Sequence, residues 1–98
     1  MRLTAVQIDT IRRVIHEEAE GDVTVRLFGS RLDDEARGGD IDLLLQTRHA
    51  IERPALFSAR IAARLIRALG GRHVDILLDA PNLQRLPIHE HAMKGAVL

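Results

Sequence analysis

The residues best suited to chemistry lie between Phe28 and Leu45, FGSRLDDEARGGDIDLLL, where Gly29-Ser30 is followed by Asp40-Ile41-Asp42. On an extended chain alternate side chains share a face, so Asp40 and Asp42 project together as a pair of hard oxygen donors. Like charges held that close disfavour each other, and a divalent cation such as Mg²⁺ offsets the repulsion. A D-x-D pair alone also fits a solvated strand edge. The preceding Gly-Ser pair shifts the balance. Gly29 permits close backbone approach or an unusual dihedral, and Ser30 adds a hydroxyl and an amide where the chain turns. If a helical turn begins at Arg31, Ser30 stands at its N-terminus, where free N–H groups favour a phosphate. An anion cradle beside a cation site is the equipment of phosphoryl transfer.

Three strands must hold these groups. Asp22 to Ser30 alternates with Val23, Val25 and Leu27 on one face. Asp40 to Leu45, opened by Gly38-Gly39, is too short for a helix and turns Ile41, Leu43 and Leu45 away from the two acids. Arg72 to Asp79 repeats that parity, with Val74, Ile76 and Leu78 on one side and His73, Asp75, Leu77 and Asp79 on the other. If the last two strands are neighbours, Asp75 completes a carboxylate triad with Asp40 and Asp42. Asp79 shares the face at the strand end and is the second choice.

Two helices are expected to back the sheet. Thr4-Ala5-Val6-Gln7 has the form of a capping box, and Ile8, Ile11, Ile15 and Ala19 recur at helical spacing, predicting a helix from Ala5 to Glu20 stopped by Gly21. Its Arg12, Arg13, Glu17 and Glu18 are expected to face solvent. Pro54 precedes a second helix, Ala55 to Leu69, with Phe57, Ile61, Leu65 and Leu69 on one stripe and Gly70-Gly71 as its stop. Arg60, Arg64 and Arg67 fall on the opposite side, as a solvated face or as a patch for an acidic partner or RNA. Leu83 to Lys94 reads as one or two short helices broken near Pro87. His89-Glu90-His91 does not make a metal site, because side chains two apart on a helix diverge.

Together, Gly29-Ser30, Asp40-x-Asp42 and a later acid on a third strand resemble the nucleotidyltransferase core of the DNA polymerase β superfamily, and the short chain is similar to its minimal nucleotidyltransferases. The resemblance covers about Val23 to Asp79. It implies a small mixed α/β sheet, a palm-like core with helices on one face and the acids on the other. It implies two Mg²⁺ ions on Asp40, Asp42 and Asp75, and ATP as substrate, with Gly29, Ser30 and Arg31 at its phosphates. It also implies a helical partner of HEPN or substrate-binding type, as in toxin–antitoxin pairs whose antitoxin attaches AMP to a hydroxyl of its toxin. Gly39 stands where many relatives carry a small hydroxyl residue.

Composition bounds these expectations. Ninety-eight residues make one domain with one modest core. The formal net charge is zero, which gives no electrostatic grip on nucleic acid. Absence of cysteine excludes a thiolate zinc site and fits a reducing cytoplasm. No apolar run is long enough to span a bilayer, and the opening MRLTAVQID lacks the apolar core of a signal peptide. The two aromatic residues, Phe28 and Phe57, sit in apolar patterns, so base stacking is expected to be weak or supplied by a partner. Asp33, Asp34 and Glu35 read as a solvated acidic turn, and Arg31 and Arg37 either as surface arginines or as cations that neutralise the phosphates, with Arg37 the weaker candidate for that role. The expected activity is nucleotidyl transfer; a non-catalytic binding subunit and a nucleotide- or metal-sensing domain are the alternatives.

Overall fold

The computed structural model describes residues 3–19, 21–29 and 41–98. In chain order they form α1 (Ala5–Glu18), β1 (Val23–Phe28), β2 (Ile41–Thr47), α2 (Pro54–Ala68), β3 (Val74–Asp79), α3 (Pro87–Ala92) and β4 (Ala96–Val97). The strands make one mixed sheet in the order β3-β2-β1-β4. β1 runs antiparallel to β2 and to β4, whereas β2 and β3 are parallel and joined through α2. A parallel pair needs a crossover of this kind, because a tight turn cannot return the chain to the same end of the sheet.

The capping box at α1 is complete. Gln7 N donates to Thr4 Oγ1 at 3.1 Å and Thr4 N donates to Gln7 Oε1 at 2.9 Å. The helix stops at Glu18, short of the predicted end, with Ala19 already extended as its C-cap. α2 starts at Pro54, where a missing N–H is harmless. It ends where Gly70 and Gly71 turn to φ +74° and +87°, and Gly71 N donates to Ile66 O at 2.8 Å. That bond satisfies a carbonyl the last helical turn leaves open, and it requires a left-handed conformation that glycine adopts without Cβ strain.

Strand parity decides which side chains enter the core. Ile41, Leu43 and Leu45 of β2, Val25 and Leu27 of β1 and Val74 of β3 pack against Ile11, Val14 and Ile15 of α1 and Ile61, Leu65 and Leu69 of α2. Each fully buried Ile or Leu contributes about 1.5–3 kcal/mol relative to exposure, so this layer carries most of the stability. The two helices are also pinned to each other. Arg64 Nη1 donates to Glu18 Oε2 at 2.9 Å, Arg64 Nη2 donates to Glu17, and Arg60 Nε lies 3.2 Å from Glu18 Oε1. Glu17 and Arg60 are exposed as expected, whereas Glu18 and Arg64 are partly buried, and the four charges pair with one another across the α1–α2 contact rather than standing as a separate basic patch. The Arg64 hydrogen bond holds Glu17 below the usual carboxylate range, and the same contacts raise Arg64.

The second sheet face is covered in its middle. Leu44 is fully buried there with Phe28 and Ala92, and Leu77 and Met93 pack around them, so α3 lies across the face expected to carry the acids and no helix. The reason is Leu44 itself: an apolar side chain of the opposite parity to Leu43 needs its own cover. His89 anchors that cover. It is 2% exposed; Nε2–H donates to Leu78 O at 2.8 Å, and Nδ1 accepts from Leu86 N at 2.9 Å. A carbonyl can only accept, which assigns the proton to Nε2. His91 points elsewhere, edge-on to Phe28 with ring centroids 6.3 Å apart. The two histidines therefore diverge as expected, and His89 is a structural residue.

Candidate functional site

Three of the candidate residues, Gly29, Asp42 and Asp75, gather at one corner of the sheet. β1 ends there in Phe28 and Gly29, and β2 and β3 both begin there. Phe28 is the register partner of Asp42, and Asp42 is in turn the register partner of Asp75. Register neighbours on adjacent strands lie about 5 Å apart and present side chains to the same face. Asp42 and Asp75 thus sit side by side on the α3 side of the sheet, with Leu44 and Leu77 as the next pair along.

Gly29 is built into this corner. Its φ is +75°, and a Cβ placed on it would collide with Oδ2 of Asp42. The positive φ turns the chain out of β1, and the bare Cα gives the Asp42 carboxylate its seat. Both facts require glycine. Asp75 is open by contrast: its side chain is 56% exposed, and its Oδ1 lies 2.8 Å from His73 Nε2. Asp42, partly buried, and Asp75, more than half exposed, stand in register as hard oxygen donors, the donor class that suits Mg²⁺. The residues present fit that ion.

Asp79 belongs to a different neighbourhood. Its register partner is Gln46, four residues along β3 from Asp75, a separation of roughly 13 Å at strand rise. Gln46 Nε2 and Arg85 Nη1 both donate to Asp79 Oδ2, at 3.3 and 3.2 Å. Arg26 Nε donates to Gln46 Oε1 at 3.2 Å, and Arg85 Nε lies 3.4 Å from Glu90 Oε1. Asp79 thus closes a polar chain on the far side of α3, and Asp75 is the acid placed beside Asp42. The Arg26–Gln46–Asp79–Arg85 chain has no signature in the sequence, because it depends on the register of three strands. The contact of His73 with Asp75 was within reach of sequence, since the two residues share a strand face two positions apart.

Asp40, Ser30 and Arg31, together with Asp33, Asp34, Glu35 and Arg37, lie outside the described residues. Among the described residues no group of three or more His, Cys, Asp or Glu side chains converges to hold an ion, and the corner contributes two carboxylates. A cavity of about 790 Å³ lies at the opposite end of the sheet, lined by Gly21, Thr47, His49, Arg53, Phe57 and Arg60 among others. It shares no residue with the acid corner. Among the described residues no helix is long and apolar enough to cross a membrane. The sequence matches no protein-family model and no curated protein.

Proposed function

We propose that the chain is an Mg²⁺-dependent nucleotidyltransferase, moving a nucleoside monophosphate, AMP from ATP, onto a hydroxyl of a partner protein. The observation that carries this reading is the register pair Asp42–Asp75 at the corner where Asp42 seats on Gly29. Asp42 and Asp75, with Asp40 two positions before Asp42 in the sequence, are the oxygen donors. When bound, Mg²⁺ would neutralise triphosphate charge and stabilise the entering and leaving oxygens of an in-line displacement. Gly29 and Ser30 present backbone and hydroxyl groups to the β and γ phosphates, and Arg31 adds a cation to them. Asp75, as a ligand of the cation beside the acceptor, favours deprotonation of the attacking hydroxyl, whose proton passes to solvent water. The hydroxyl oxygen then bonds to the α-phosphorus as the α–β bridging bond breaks and pyrophosphate leaves. A helical HEPN-type protein in the cytoplasm is the proposed acceptor, with this chain as the antitoxin of the pair.

One observation favours a second reading, a non-catalytic subunit that neutralises or completes a helical partner. Phe28 is 7% exposed beneath α3, and Phe57 packs against the main core. With no other Phe, Tyr or Trp in the chain, a base bound at the acid corner has no exposed ring of these types to stack on unless a partner brings one.

A transfer assay separates the readings. α-Labelled ATP and Mg²⁺ are supplied with the neighbouring-gene protein or a lysate as acceptor, for the unmodified chain beside Asp42→Asn. Label on a protein or RNA band that vanishes in the variant supports transfer and identifies the acceptor class. Partner capture retained by both chains, with no label from any nucleotide, establishes the binding subunit instead.

A further inference from the structure

We propose that His73 is a positioning residue for Asp75: its Nε2–H holds Oδ1 of the carboxylate and leaves Oδ2 as the oxygen presented to the cation. The inference rests on the reading of Asp42 and Asp75 as cation ligands.

The contact spans 2.8 Å between His73, the residue just before the edge strand β3, and Asp75 two positions on. A carboxylate can only accept, so the proton lies on Nε2, and a neutral imidazole suffices to donate it. Among the described residues His73 is the one side chain hydrogen-bonded to Asp75. The next acid on the same face as Asp75, Asp79, is held differently, by Gln46 and Arg85 together.

Exposure argues against a role in the fold. The two side chains are 59% and 56% exposed, and contacts between such exposed groups contribute little to stability. What the hydrogen bond does remove is freedom. An exposed carboxylate samples several χ1 and χ2 states, and only some aim an oxygen along the row shared with Asp42. Ordering it before the ion arrives lowers the entropy lost on binding. Partners that hold a ligating side chain in this way alter metal affinity by about 10- to 100-fold when removed.

Mn²⁺ serves as the probe, with binding to the full chain followed by calorimetry and by the loss of the free-ion electron paramagnetic resonance signal. Four chains are compared: unmodified, His73→Ala, His73→Gln and Asp75→Asn. Expected is a loss of affinity of about 10- to 100-fold in His73→Ala with an unchanged melting temperature. His73→Gln, whose amide N–H can take the place of Nε2–H, recovers most of it, and Asp75→Asn weakens binding at least as much as His73→Ala. Equal affinity in His73→Ala and the unmodified chain, with Asp75→Asn impaired, overturns the proposal and leaves the cation site standing. Parallel loss of affinity and melting temperature in both His73 variants also overturns it, by showing a structural role. No saturable Mn²⁺ binding by the unmodified chain removes the cation site, and the proposal with it.

Discussion

Asp42 and Asp75 are register partners across the parallel β2–β3 pairing, so the two acids stand at the same height on the same sheet face. Nothing local brings them together: α2 and its flanking turns lie between them in the chain. Two carboxylates at that spacing disfavour each other's charge, and a bound cation would offset the repulsion.

Removing either charge should therefore separate activity from stability. Asp42→Asn and Asp75→Asn are each expected to lower transfer by at least about 10²-fold. Their melting temperatures should change little, since Asn keeps the shape of the side chain. Transfer assays paired with thermal denaturation check this, and a variant that loses transfer only because it unfolds would contradict it.

Gly29→Ala tests the seat of Asp42. The substitution places a Cβ at φ +75° and against Asp42 Oδ2. Strain at such a position amounts to about 1–3 kcal/mol. The expected result is a drop of that size in urea-unfolding free energy, together with weakened Mn²⁺ binding as the displaced carboxylate moves. Unchanged stability would mean the turn after β1 relaxes freely.

The α1–α2 clamp should make stability depend on acid. The hydrogen bond from Arg64 lowers the Glu17 carboxyl below its unfolded value. A group depressed in this way adds stability above its unfolded range, and that addition is lost as pH falls through the folded value. Urea midpoints should fall between pH 5 and pH 3 more steeply in the unmodified chain than in Glu17→Gln, which lacks the titrating group. The exposure of this pair keeps the difference small, and it should shrink further in high salt.

His89→Ala probes the cover of the second face. It strands Leu86 N–H and Leu78 C=O, both now bonded to the buried ring. Each polar group left unsatisfied away from water costs about 1–3 kcal/mol, so a total loss of up to about 6 kcal/mol, and at least about 1 kcal/mol, is expected by chemical denaturation. Amide exchange should accelerate first in α3 and at Leu44 beneath it, while α1 and the other core strands keep their protection.

Much of the fold was legible in the chain because its signals are local. The capping box at Thr4, the Gly70-Gly71 stop and the period-two alternation of Ile41, Leu43 and Leu45 are each decided within a few residues, by hydrogen bonds and side-chain direction that no distant element has to supply. The same parity rule put Asp42 and Asp75 on a common face before any strand order was known. Pairing and register are different, because they are settled by which apolar faces can be buried together across long separations in sequence. Only the tertiary structure joined Asp42 to Asp75, sent Asp79 to Gln46 and Arg85, and turned Arg60 and Arg64 onto Glu17 and Glu18. It also decided the fate of Leu44. Its burial required a partner from the far end of the chain, and α3 provides it through Ala92 and the two backbone hydrogen bonds of His89.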